Sequence, residues 1–367
     1  MDESVNLAAL VVWGAFGLAL VLGYVAARTN FCTMGAISDV VNMGHWGRVR
    51  MWLLAIAVAI AGATLLHYFE LIDLTKSIYQ RPVLPWLSML LGGTLFGIGM
   101  TIAGGCANKN LLRLGGGSVR SLVVLVFLAI SAYMTLKGLF GQWRSSYLDP
   151  VAIDLSGLGM HGQGLAELLA RLTGMPERSA LLATTGVVVI ALLIFVFKDK
   201  DFRASGEQLV GGTILGLLIT SGWYLTGHIG FAENPDTLEM TYFGTNTRTI
   251  ESLTFVAPTA YSLELLMLWT DKSLRVTFGI ATVAGVVVGS LIHAVTSRQF
   301  LWEGFASLED LRNQLAGGML MGFGGVLAMG CTIGQGLSGV STLALGSFIS
   351  VAGIVAGAAA TMKWQQR

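Results

Sequence analysis

Apolar residues run along this chain in long blocks, and the polar residues collect between them. Blocks of roughly 17–25 apolar residues match the hydrocarbon core of a bilayer. Nine blocks are expected to span: Ala8–Ala27, Met51–Tyr68, Trp86–Gly105, Val119–Phe140, Ala180–Phe197, Leu209–Leu225, Leu274–Val295, Leu311–Gly330 and Val340–Met362. Two further pieces are too short to cross, the stretch TMGAISDVVNMG after Cys32 and Ala260–Trp269. Gln142–Arg178 reads as a long hydrophilic connection, with a short amphipathic surface helix at Gly164–Leu172. Thr226–Thr254 reads as a second polar loop, with turn chemistry at Asn234-Pro235-Asp236 and Gly244-Thr245-Asn246. The pattern predicts an all-α polytopic membrane protein, a single membrane domain over 1–367 with about nine spans and short non-spanning helices.

Composition agrees with the pattern. The chain is 54% hydrophobic and 12% charged, where a soluble domain carries about 25% charged residues. Its net charge is +1, and no basic run exists that could track nucleic-acid phosphates. Met1-Asp2-Glu3-Ser4 precedes the first apolar block. A cleaved signal peptide wants a basic start, so a retained first span is expected. Three cysteines without a C-x-x-C pair give neither a metal-finger pattern nor a disulfide framework. No cofactor, metal site or ATP-binding motif is expected, and hence no enzyme that hydrolyses a nucleotide.

The blocks repeat. Leu90–Leu114 (LLGGTLFGIGMTIAGGCANKNLLRL) lies over Leu315–Leu337 (LAGGMLMGFGGVLAMGCTIGQGL) at an offset of 225, aligning Gly92, Gly93, Gly97, Gly99, Gly105 and Cys106 with Gly317, Gly318, Gly322, Gly324, Gly330 and Cys331. Arg50–His67 lies over Val276–His293 at an offset of 226, and Gly17 and Gly23 lie over Gly216 and Gly222 at 199. Repeat one covers about 8–141, a linking span about 179–198, and repeat two about 207–363. Four spans return the chain to its starting side and the linking span crosses again, so the repeats are inverted. Inverted transporters place the site near the midplane, where short or broken helices meet. Arg28, Arg48, Arg50, Lys198, Lys200, Arg203, Lys363 and Arg367 are expected inside. That places the N-terminus outside and the C-terminus inside, with Lys272 and Arg275 on the outer face.

Candidate chemistry gathers at the breaks. Cys106 and Cys331 each end an apolar, glycine-rich span and open a polar turn. Broken backbone at membrane depth is tolerated where it lines a cavity or is buried in protein. A thiol is a soft, weak donor, suited to a polarisable sulfur-containing anion. Where a helix begins just after each cysteine, its N-terminal amides also favour an anion, and the turns Gly115–Gly117 and Gly334–Gly336 could add further amides. Lys109 and Arg113 are the nearest cations in sequence; each also suits a cytoplasmic anchor. Asn30, Asn108, Asn110 and Gln335 could donate to an anion or satisfy the broken backbone. His67 and His293 are paired by the repeat and suit interfacial packing or a proton relay. Cys32 has no cysteine counterpart, since the offset puts Phe231 there, and its role is open on pattern alone. Gly336-Leu337-Ser338-Gly339 is similar to a serine-protease G-x-S-G string, but that chemistry needs a histidine base and no histidine follows His293.

Three stretches together carry a family resemblance: Arg28-Thr29-Asn30-Phe31-Cys32-Thr33-Met34-Gly35-Ala36, Gly104-Gly105-Cys106 with Leu112-Arg113-Leu114-Gly115, and Gly330-Cys331-Thr332-Ile333-Gly334-Gln335-Gly336-Leu337-Ser338. With them the chain resembles the YeeE/YedE membrane family (sulfur transport domain) from about Val12 to Thr361. The resemblance implies a thiosulfate importer of the bacterial inner membrane, an hourglass of two inverted halves. It implies that Cys32, Cys106 and Cys331 pass the anion along a constriction by transient S–H contacts. It also implies a small soluble TusA-like sulfur-carrier protein as a partner. Lys109 stands where many relatives have glycine, and the loops Gln142–Arg178 and Thr226–Thr254 are longer, which leaves selenium or other sulfur compounds open as substrates. Two other classes remain: a membrane thiol oxidoreductase or sulfurtransferase forming a cysteine persulfide, and a passive channel for a small solute.

Overall fold

A computed structural model describes residues 2–235 and 237–366, with side chains from residue 6 onward. Met1, Asp236 and Arg367, which entered the readings of the N-terminus, the 234–236 turn and the basic tail, lie outside the described residues. The chain is 71% helical. In order, the α-helices are α1 (Asp2–Arg28), α2 (Thr33–Ser38), α3 (Gly47–Tyr68), α4 (Trp86–Ile102), α5 (Ala107–Gly115), α6 (Val119–Lys137), α7 (Leu139–Trp143), α8 (Leu165–Thr173), α9 (Glu177–Phe197), α10 (Lys200–Ala204), α11 (Gly206–Tyr224), α12 (Val256–Met267), α13 (Phe278–Thr296), α14 (Leu308–Leu327) and α15 (Leu345–Gln365). Eight of the described helices are long and apolar enough to cross a membrane. The protein is therefore an all-α polytopic membrane protein. α14 is as long as these but carries Glu309 and Asp310 in its first turn, and it lies between α4 and α6.

The loops hold more structure than their polarity suggests. Val83–Leu84 pairs antiparallel with Ile153–Asp154, and Phe231–Glu233 with Met240–Tyr242. The surface helix forms as α8 and stops at Gly174, whose φ of 70° is left-handed. The fourth span ends at Lys137 rather than Phe140 because Gly138 adopts an extended backbone and starts the separate helix α7. The short apolar piece of the second half begins at Val256, ahead of Ala260, since Pro258 fits a first helical turn.

The long helices pair across the chain. α1 lies along α13, α11 along α3, α4 along α15, and α14 along α6, while α4 and α14 cross each other. Glycines set how closely they approach. A Cβ at Gly93 or Gly97 would come 2.4 Å from the Ser350 carbonyl or 2.2 Å from that of Ile354. One at Gly318 or Gly322 would come 2.8 Å from the Val124 carbonyl or 2.3 Å from that of Leu128. At the crossing, Gly99 faces the Gly317 carbonyl and Gly324 faces the Gly92 carbonyl, at 2.8 and 2.6 Å by the same measure. Lipid supplies little hydrophobic drive between helices, so backbone contact through small residues is what holds such pairs.

Charge sorts to the two ends. One end carries the ion pairs Arg28–Glu207, Arg48–Asp39 and Arg50–Asp199, at 3.3, 3.1 and 2.9 Å, and the Asn42–Gln366 hydrogen bond at 2.6 Å. Asp199 caps α10 by accepting the Phe202 amide, and this bond, with Arg50 beside it, holds its carboxyl below the usual range. The opposite end carries the pairs Arg178–Glu70 and Lys137–Glu264.

Candidate functional site

Three helices stop in the same way, and a cysteine follows each stop. Asn30, Gly104 and Met329 have φ of 51°, 66° and 57°, the left-handed turn that ends a helix. In each case the next amide reaches back to the carbonyl five residues earlier: Phe31 to Ala26 at 3.0 Å, Gly105 to Met100 at 2.8 Å, and Gly330 to Gly325 at 2.8 Å. The residue after that is Cys32, Cys106 or Cys331. Glycine tolerates this conformation freely, but asparagine and methionine do so at a cost. Cys32 has no cysteine counterpart by offset, yet its backbone setting is that of the other two. The inserted loop shifts the local correspondence: the residue that caps α12, as Cys32 caps α2, is Phe255 rather than Phe231.

Each sulfur then meets the backbone three residues on. The Gly35 amide donates to Cys32 Sγ at 3.3 Å, and the Gly334 amide to Cys331 Sγ at 3.4 Å. The Lys109 amide faces Cys106. α2 and α5 begin directly after Cys32 and Cys106. After Cys331 no α-helix begins; residues 334–339 form a wider π-type turn. This turn is closely packed on all sides: a Cβ at Gly334, Gly336 or Gly339 would meet Thr254, Trp52 or Ser347 within 3 Å.

The cysteines are free and buried. The Cys32 and Cys106 thiols lie against each other. Cys106 also lies near Thr332, the residue after Cys331. On the far side of Cys331 stand Tyr79 and Thr254, with the Tyr79 hydroxyl 3.6 Å and the Thr254 Oγ1 2.3 Å from where a Gly334 Cβ would be. A 370 Å³ cavity reaches Gly330 and Thr254 and includes Arg81, Arg144 and Tyr261 in its wall. On the Cys32 side, Lys109 and Arg113 place positive charge close to the thiol, and the Arg48 guanidinium lies against Gly35.

The other sequence candidates divide. Lys109 Nζ donates to Asn30 Oδ1 at 3.4 Å, tying α5 to the loop before Cys32. Arg113 lies by Gly104, its Nη1 3.8 Å from a Cβ position there. Asn108 is buried and its Oδ1 has no partner among the described residues. Asn110 and Gln335 close the breaks: Asn110 Nδ2 donates to the Gly105 and Cys106 carbonyls at 3.0 and 3.1 Å, and Gln335 Nε2 to the Ala328 carbonyl at 2.6 Å. Gln335 thus commits one amide N–H to the backbone and leaves its oxygen unpartnered among the described residues. The Gly115–Gly117 turn is turned away from the thiols, with Gly115 against Ser290 and Gly117 against Leu301. His67 holds the Ile72 carbonyl at 3.1 Å, and His293 packs edge-on against Tyr24. Ser338 donates to the Leu253 carbonyl at 2.7 Å, a structural bond rather than a nucleophile's setting. Thr332, Trp52 and Tyr79 stand at the site without having been singled out. The Cys-Thr dipeptide, present at both Cys32-Thr33 and Cys331-Thr332, is the signal that could have pointed to Thr332.

A bundle of spanning helices with buried thiol-bearing breaks suits a membrane transporter, and the comparisons with known proteins are with transporters. The family model described as Sulphur transport matches residues 28–360, and the chain belongs to that family. It is 29% identical over 329 residues to the thiosulfate transporter TsuA of Escherichia coli (strain K12), covering 86% of this chain and 84% of that protein. It is 24% identical over 351 residues to the thiosulfate transporter TsuA of Spirochaeta thermophila, covering 93% of this chain and 94% of that one. The protein is a multi-pass sulfur transporter.

Proposed function

We propose that the protein imports thiosulfate across the bacterial inner membrane along the line Cys331, Cys106, Cys32. The observation that carries the reading is that Cys32, Cys106 and Cys331 are all buried and each follows the same left-handed helix stop, with Cys32 and Thr332 both near Cys106. The anion would enter from the cavity beside Arg81 and Arg144 and leave past Lys109, Arg48 and Arg113. Asn30 and Asn108 stand at the same breaks. Each thiol offers a soft donor that holds the anion weakly, and conduction needs binding weak enough to release. The names of both relatives support thiosulfate as the anion.

The helix pairing supports two inverted halves, 8–141 and 207–363, joined by the 179–198 span. Gly92 faces Gly324 and Gly99 faces Gly317. Exchanging the halves at the offset of 225 converts one pair into the other. The same exchange carries the Gly93 and Gly97 contacts on α15 into those of Gly318 and Gly322 on α6. The end bearing Arg28, Arg48, Arg50 and the α9–α11 connection would face the cytoplasm, with the N-terminus outside and the C-terminus inside. A small TusA-like carrier would take the anion there.

The test is uptake of radiolabelled thiosulfate by cells carrying single Cys32→Ala, Cys106→Ala or Cys331→Ala variants at matched expression. Loss of most uptake in the Cys106 and Cys331 variants is expected. Uptake indifferent to all three changes would remove the thiol path and favour a passive channel. Mass spectrometry of the protein after thiosulfate exposure is expected to show no persulfide increment, which separates conduction from covalent sulfur transfer.

A further inference from the structure

We infer that Thr332 reads the oxygen end of the anion at the paired thiols, donating its hydroxyl to a sulfonyl oxygen while Cys106 and Cys32 hold the sulfur end. The inference rests on the thiosulfate reading above and assigns a specificity-determining residue within it.

Thr332 is 1% exposed, and its Oγ1 has no hydrogen-bond partner among the described residues although it lies near the Cys106 thiol. Its neighbours are committed. Ser338 donates to the Leu253 carbonyl, Ser341 to the Ser338 carbonyl and Thr342 to the Gly339 carbonyl. Buried hydroxyls are almost always paired, so one left free beside the site's central thiol calls for a partner that arrives from outside. Thr33 repeats the setting one residue after Cys32: it is 3% exposed and its hydroxyl is likewise unpaired. Two free hydroxyls therefore flank one thiol pair, each on the residue that follows a cysteine.

The chemistry divides accordingly. A thiosulfate-type anion has one soft, polarisable sulfur and three hard oxygens. Thiols are weak donors and suit the first, whereas a hydroxyl is a stronger donor that rotates to meet the second. Other unpaired groups stand close to the breaks: the Asn108 and Gln335 oxygens are acceptors, while Trp52 Nε1, beside Gly336, and Ser347 Oγ, beside Gly339, are unpaired donors on the Cys331 turn. Of these donors the threonine hydroxyls alone sit on the residue directly after a cysteine, where they can rotate to supply the hard contact.

Three proteins decide it in the uptake assay: wild type, Thr332→Val, which keeps the side-chain shape and loses the hydroxyl, and Thr332→Ser, which keeps the hydroxyl and loses a methyl group. A hydrogen bond to a charged partner carries about tenfold or more in affinity. Thr332→Val is expected to raise the KM for thiosulfate about tenfold, with expression and melting temperature unchanged, and Thr332→Ser is expected to recover most of that loss. A packing role reverses the order, with valine benign and serine impaired, and would overturn the inference. So would a Thr332→Val protein with the wild-type KM. If wild type itself takes up no thiosulfate, the thiosulfate reading falls and takes this inference with it; if wild type transports and Thr332→Val matches it, the inference alone fails.

Discussion

The thiol of Cys106, at the start of α5, rests against the thiol of Cys32, at the start of α2. Neighbouring thiols can be bridged where their Cα atoms lie about 4.4–6.8 Å apart. A mild oxidant such as copper–phenanthroline with oxygen would take two electrons, with the two thiol protons lost to water, and leave one S–S bond. The bond would consume both donors at once. Oxidised cells are expected to lose most thiosulfate uptake and to regain it with dithiothreitol, while peptide mapping finds a Cys32–Cys106 link. A map showing no Cys32–Cys106 link would contradict the closeness of these two thiols.

Close helix approach predicts a contrast between two glycines. A Cβ at Gly97 would come 2.2 Å from the Ile354 carbonyl, whereas one at Gly17 meets nothing within 4 Å. Gly97→Ala is expected to destabilise by about 1–3 kcal/mol through forced separation of α4 and α15. Gly17→Ala is expected to be neutral or to stabilise by up to about 1 kcal/mol, since alanine is the better helix former. Thermal unfolding of the two variants in one detergent compares them directly.

Asn110 predicts a cost for opening a break. Its amide satisfies the Gly105 and Cys106 carbonyls, and Asn110→Leu would strand both in a buried setting. Each stranded acceptor costs about 1–3 kcal/mol. The variant is expected to melt lower than wild type, and Asn110→Gln, which keeps the amide group, to fall between them.

Much of this was readable from the sequence, and the residues explain which parts. Glycine spacing in Leu90–Leu114 and Leu315–Leu337 marks α4 and α14 because those glycines sit where backbones touch, a need that leaves a trace in composition. The breaks were visible because Cys106 and Cys331 follow apolar runs abruptly. Cys32 was invisible to the repeat because the inserted 226–254 loop displaced the local offset, and because Phe255 holds the equivalent cap. A threonine inside a turn, such as Thr332, or a tryptophan in an apolar span, such as Trp52, looks ordinary in sequence until its spatial neighbours are known. The π-type turn at Gly334–Gly339 was likewise out of reach, being packed against Thr254, Trp52 and Ser347 from elsewhere in the chain.

Asp199 predicts a pH dependence. Its carboxyl is held below the usual range by the Phe202 amide and by Arg50. A depressed folded value stabilises the fold above the unfolded value and loses that contribution as pH falls through the folded one. Asp199→Ala is therefore expected to lower the melting temperature at pH 7, with the gap to wild type closing in strongly acidic buffer. Melts across a pH series measure it. A gap that stays constant with pH would assign the effect to chain entropy rather than to the carboxylate.

The pairing of α4 with α15 and of α1 with α13 also governs how the protein is made. Chains are synthesised from the N-terminus, so α4 enters the bilayer long before residues 345–365 exist. Its Gly93 and Gly97 face wait without the Ser350 and Ile354 backbone that will close against it. α1 waits in the same way for α13. No early subset of spans is complete, and truncation within the final helix should disable the first half as surely as the second. The chain order thus lets the α1–α13 and α6–α14 pairs close before α4 meets α15, so the closing of the first half waits for the last helix of the second.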